Sequence, residues 1–131
     1  LEELVLAGRL AMNETTVVRQ VGSATILDVK GRLVFGEESA RVREMIMDLL
    51  SKGRKQILLN LRDVEYIDSM GLGSLVGTLA TVRKQGGELK LFNVNDRLTD
   101  IMQITRLYNV FDTSIDEREA VRSFGVAAAT D

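Results

Sequence analysis

Stretches rich in β-branched residues alternate with stretches of helical period along nearly the whole chain, and that alternation most constrains the fold. "TTVVRQV" (15–21) and "ATILDVKG" (24–31) flank the turn pair Gly22-Ser23 and read as a hairpin. Residues 36–53 then change period: Val42, Met45, Ile46, Leu49 and Leu50 share one face, Glu37 and Glu38 open the helix, and Lys52-Gly53 close it. "KQILLNLRD" (55–63) is a short apolar run suited to a buried strand. A second helical stripe, Leu72, Leu75, Val76, Leu79 and Val82, stops at Arg83-Lys84 and Gly86-Gly87.

"ELKLFNV" (88–94) follows as a strand, and 96–107 as a third helix with Leu98, Ile101, Met102 and Thr105 on one side. A short strand over 110–115 precedes a last helix over 116–124, where Ser114 and Glu117 have the spacing of a capping box. The order β-β-α-β-α-β-α-β-α implies right-handed crossovers between parallel strands, with one antiparallel pair at the start. The expectation is an α/β fold: one domain over 13–125, built on a mixed β-sheet with an N-terminal hairpin and about four helices. Residues 1–12 read as an extension or an expression remnant with short amphipathic helical character, Met12 being a candidate native start. They have no basic stretch ahead of the apolar part, as a signal peptide would. Residues 126–131 read as a flexible tail.

Composition narrows the chemistry. At 131 residues, 45% hydrophobic and 27% charged, the chain can bury a full core. It has no histidine and no cysteine, so neither a Ser-His-Asp nor a Cys-His mechanism can be assembled, and thiolate metal sites and disulfides are excluded. A formal net charge of −2 with no Lys/Arg block gives no nucleic-acid surface. No apolar run approaches the roughly 18–20 residues of a membrane span. The cysteine count fits a cytoplasmic address.

One segment remains unexplained by folding alone: "YIDSMGLGSLVG" (66–77). Its glycines fall at 71, 73 and 77, whereas a dinucleotide fingerprint needs glycine where Val76 stands, and no Gly-Lys-Ser/Thr follows. Ser69 lacks both a G-x-S-x-G setting and a histidine base. Asp63, Glu65 and Asp68 read as solvated turn formers rather than a magnesium site. Ser69 sits at or near the N-cap of the second helix. From there Ser69, Gly73 and Gly77 recur every four residues, with Ser74, Thr78 and Thr81 beside them, giving a face of small side chains. Each interior glycine costs that helix roughly 0.5–1 kcal/mol relative to alanine. Either another backbone comes close there, or the glycines pack inside the protein. The apolar stripe already supplies a core side, which favours an exposed docking face.

Residues 58–121, "LLNLRDVEYIDSMGLGSLVGTLATVRKQGGELKLFNVNDRLTDIMQITRLYNVFDTSIDEREAV", together with "VKGRL" (29–33), resemble the anti-sigma factor antagonists built on the STAS domain. The segment D-S-x-G-L-G after an apolar strand, then a helix and "GGELKL", carries the likeness. The resemblance implies a non-enzymatic, cofactor-free protein in a partner-switching pathway that regulates transcription. In that family the serine matched by Ser69 is phosphorylated by an anti-sigma factor that is also a serine kinase, and the ATP belongs to the kinase. The unmodified form binds the kinase, phosphorylation releases it, and a serine phosphatase resets the cycle. Asp68, Ser69, Met70, Gly71, Gly73, Ser74 and Gly77 would form the partner surface. Val34 and Phe35 would join them from the preceding loop, where the family often has an acidic residue. Met70 stands where the family often has a second serine or threonine. A non-phosphorylated scaffold subunit of a stress-signalling or lipid-transport complex is the alternative, and oligomeric state stays open, weak homodimerisation included.

Overall fold

The computed structural model describes residues 9–12, 16–34, 36–107 and 109–129. Its strands are β1 (Arg9–Met12), β2 (Thr16–Val21), β3 (Ala24–Leu33), β4 (Gln56–Ile67), β5 (Glu88–Phe92) and β6 (Thr113–Ser114). Its helices are α1 (Glu37–Ser51), α2 (Ser69–Lys84), α3 (Asp96–Ile104) and α4 (Glu117–Ala129). The six strands lie in one sheet in sequence order. Pairing is antiparallel from β1 to β3 and parallel from β3 to β6, so the sheet is mixed and each parallel step is bridged by a helix, as expected.

Four local expectations are corrected. Residues 9–12 form a strand rather than part of a short helix, because Arg9, Ala11 and Met12 pair with Arg19, Val18 and Val17 and extend the hairpin by one strand. Residues 1–8 lie outside the described residues. β4 runs on to Ile67 instead of stopping at 63, because Asp63, Val64, Tyr66 and Ile67 pair with Lys30, Gly31, Arg32 and Leu33. The cap of α4 is Asp116, whose Oδ1 accepts the Glu119 N–H at 2.9 Å, while Ser114 belongs to β6. That helix also continues through Ala129, so only residues 130 and 131 of the expected tail lie outside the described structure.

Neighbouring strand residues point to opposite sides, and here both sides are covered. On one side Leu27, Leu59, Leu61 and Leu91 pack against Val42 and Ile46 of α1, Leu72, Leu75 and Leu79 of α2, and Leu98 and Met102 of α3. On the other, Ile26, Leu58 and Phe92 meet Ala120 and Phe124 of α4. The middle of β4, Ile57–Leu59, therefore reads as a continuous apolar run instead of an alternating one.

A polar ladder continues the α4 side of the sheet. Asp28 accepts from Arg19 on β2 at 2.5 Å and from Asn60 on β4 at 2.9 Å, and Asn60 in turn accepts from Asn93 at 2.9 Å. The Arg19 guanidinium also donates to both Glu117 oxygens, one at 3.1 Å, fastening the start of α4. Hydrogen bonds that Arg19 donates to Glu117 and then to Asp28 raise its pKa above the usual arginine value. Farther along the helix, the Lys90 ammonium lies 4.5 Å from the Phe124 ring centroid. Phe124→Ala is expected to lower stability by about 3–5 kcal/mol, since it empties the centre of the smaller core. A denaturant titration measures this, and a loss below 1 kcal/mol would show that α4 contributes little to the fold.

Candidate functional site

Asp68 is the turning point between β4 and α2. Its backbone is extended (φ −98°, ψ 173°), and its Oδ1 accepts the Gly71 N–H at 2.6 Å while its carbonyl accepts the Leu72 N–H at 2.9 Å. A carboxylate at this position satisfies helix N–H groups that would otherwise lack partners. The cap is thus Asp68, and Ser69 is the first residue of the helix, exposed to solvent. No acidic residue occupies the first turn of α2, and Arg83 and Lys84 occupy the last. The positive end of the helix beside the hydroxyl is therefore met only by the capping Asp68 carboxylate.

The three glycines divide into two kinds. Gly71 is buried against the end of β3: a Cβ there would overlap the Leu33 carbonyl oxygen and come within 3.0 Å of its carbon. It lets helix and strand approach closely and lies inside, not on the expected docking surface. Gly73 and Gly77 are exposed, with nothing within 4 Å of a Cβ built on either. Ser74 is half-buried; Thr78, expected beside the glycines, is buried, with its hydroxyl donating to the Ser74 carbonyl at 2.9 Å. The outward strip of α2 is therefore Ser69, Met70, Gly73, Gly77 and Ala80, while Leu72, Leu75, Leu79 and Val82 form the inner one.

The surroundings of Ser69 come from three strand ends. Val34, half-buried, leaves β3 and accepts the Ser39 hydroxyl at 2.7 Å; Phe35 lies outside the described residues. Gly36 follows with φ 127°, a backbone that favours glycine, and α1 starts there. From the β5 end, Asn95 caps α3 through the Leu98 N–H at 2.8 Å and donates to the Val64 carbonyl at 3.2 Å. Arg97 donates to the Glu65 carbonyl at 3.3 Å. Both contacts brace the end of β4 against α3.

The guanidinium of Arg32 stacks on Tyr66, 5.1 Å from its ring centroid, and Tyr66 remains 37% exposed. The sequence reading missed Arg32, Tyr66, Asn95 and Arg97. Only Asn95, three residues ahead of an apolar helical position, carried a sequence signal, that of an N-cap.

Asp63 and Glu65 are exposed on β4, not in a turn, and no group of three His/Cys/Asp/Glu side chains among the described residues is arranged to hold a metal ion. A cavity of about 770 Å³ is lined by Lys90, Asp112, Arg118, Arg122 and their neighbours, none of them from the segment around Ser69. Ser69 is thus exposed, with no histidine in the chain to activate it, an arrangement suited to being acted on by another protein.

Alanine substitutions should separate the two kinds of glycine. Gly73→Ala and Gly77→Ala are expected to raise stability by about 0.5–1 kcal/mol each, as open helix-interior positions. Gly71→Ala is expected to lower it by about 1–3 kcal/mol through overpacking against Leu33. Equal effects in denaturant titrations of the three would refute this division.

Residues 15–120 match the STAS domain model. The chain is 41% identical over 81 residues, 62% of its length and 73% of the relative's, to the anti-sigma-B factor antagonist of Bacillus subtilis. It superimposes with a TM-score of 0.73 on the crystal structure of TM1081 from Thermotoga maritima, at 28% identity, covering 81% of this chain and 91% of the other. The Bacillus cell fate determinant SpoIIAA in its phosphorylated form has the same fold, with a TM-score of 0.64 at 19% identity over 84% of this chain and 99% of the other. No helix among the described residues is long and apolar enough to cross a membrane. With the family model spanning most of the sheet and its helices, the chain belongs to the STAS domain family, among relatives named as anti-sigma factor antagonists.

Proposed function

We propose that this STAS domain is a cytoplasmic anti-sigma factor antagonist that binds an anti-sigma factor with serine kinase activity and is released when Ser69 is phosphorylated. The observation that carries this reading is an exposed serine at the first position of α2, on the same outward strip as Gly73 and Gly77, where a Cβ would meet nothing within 4 Å. The name of the 41%-identical relative supports the binding role, and the existence of a phosphorylated form of SpoIIAA supports the modification. The domain itself performs no chemistry in this scheme. The kinase brings ATP, and a serine phosphatase returns Ser69 to its hydroxyl form.

The switch is electrostatic. A phosphate adds about −1.5 to −2 charges. Within the free domain the positive end of α2 favours that charge by roughly 0.3–1 kcal/mol, and the adjacent Asp68 carboxylate opposes it by a similar amount. Modification therefore leaves the fold nearly unchanged. In the complex the same dianion must be dehydrated against a close-packed partner, which costs several kcal/mol unless a cation meets it. Since each 1.4 kcal/mol is about a tenfold change in affinity, one phosphate suffices to end the complex.

Incubation with ATP and the anti-sigma factor kinase of the source organism tests the proposal directly. Phosphate on Ser69, found by peptide mass spectrometry, is the expected result; binding without modification would leave the non-phosphorylated scaffold instead. Ser69→Ala should bind the kinase and resist release. Ser69→Asp should bind at least about tenfold more weakly while keeping its stability within about 0.5 kcal/mol of the parent. Gly73→Leu and Gly77→Leu should lose binding while remaining folded; unchanged kinase affinity in both would place the interface elsewhere.

A further inference from the structure

The outward strip of α2 carries one large apolar side chain, and it is a thioether. Met70 is 59% exposed, immediately after Ser69. The other described methionine side chains are protected: Met102 is 3% exposed inside the main core, and Met45 and Met47 pack against it. Tyr66, the other exposed large apolar residue flanking Ser69, is covered on one face by Arg32. Ile104 and Ile115 are exposed too, but on α3 and after β6, and have no group that peroxide attacks.

An unbranched thioether suits an adaptable interface, and Met70 is the most exposed of the methionines whose side chains are described. We propose that Met70 is a second modification site on this surface: hydrogen peroxide converts it to the sulfoxide, and the sulfoxide releases the partner independently of Ser69 phosphorylation. This rests on the kinase-binding reading above. In the reaction a sulfur lone pair attacks one peroxide oxygen, the O–O bond breaks and an S–O bond forms. Sulfur is oxidised by two electrons, and the second oxygen leaves as water after proton transfer.

The product carries a strongly polar oxygen where the parent carried an apolar group. Covering that oxygen with a partner built to bury a thioether leaves it without a hydrogen bond, so the complex weakens. The effect on the free domain is small, because Met70 contributes nothing to either core. Unlike the phosphate, the sulfoxide adds no charge. It is reversed by methionine sulfoxide reductase rather than by a phosphatase.

The test treats the full chain with hydrogen peroxide and follows each methionine by peptide mass spectrometry, then measures affinity for the anti-sigma factor kinase. Met70 should oxidise before Met45, Met47 and Met102. The oxidised chain should bind about tenfold or more weakly, with its melting temperature retained and its affinity restored by methionine sulfoxide reductase. Met70→Leu, compared with its own untreated affinity, should be insensitive to peroxide. Oxidation of a core methionine first, an oxidised chain that binds as before, a loss that reductase does not reverse, or the same loss in Met70→Leu would each overturn the inference. A parent chain with no affinity for the kinase overturns the proposed function itself, and a chain that binds the kinase but is indifferent to Met70 oxidation overturns only this inference.

Discussion

The approach of Gly71 to the carbonyl of Leu33 sets the position of everything that acts at the surface. β3 and β4 run parallel to their ends, where Leu33 pairs with Ile67, and α2 starts two residues later. For the helix to begin that close, its first turn must lie against the backbone of β3, and only a residue without a Cβ leaves room. Asp68 then caps the helix through the N–H of the same glycine. One backbone contact and one hydrogen bond thus fix where Ser69 and Met70 emerge.

Around this point the sheet acts as a rigid mount. Apolar side chains on both faces of β3, β4 and β5 leave the parallel strands little freedom to slip, because a one-residue shift would exchange the two cores. Asn95 and Arg97 hold the end of β4 from the α3 side. The proposed docking and modification would gain from such support: charge or oxygen added at α2 would meet solvent on the outside and a fixed helix beneath, so a partner would feel the change more than the fold.

Much of this was legible in the chain. The switch from β-branched runs to helical stripes located four helices and the strands between them, since burial on one face imposes a period that composition cannot mimic. Ser69 was found because D-S-M-G-L-G interrupts that pattern. The ends of elements were less legible. β4 continues through Asp63–Tyr66 because β3 offers it backbone partners there, although its own residues in that stretch are mostly polar. The cap of α4 fell to Asp116 over Ser114 because Ser114 was already committed to pairing with Phe92.

The sequence alone determined the α/β order, the absence of histidine and cysteine chemistry, and the placing of a lone serine before a glycine-spaced helix; all three depend only on residue type and local period. Tertiary structure alone decided which glycines face inward. At roughly 100° per residue, Gly71 and Gly73 lie on nearly opposite sides of one helix, and only the packed position of β3 shows which side is inside. It also joined Arg19 to Glu117 across 98 residues of chain. It left Met70 in solvent while packing Met45, Met47 and Met102 in or against the main core, because exposure belongs to the packed molecule and not to any segment of it.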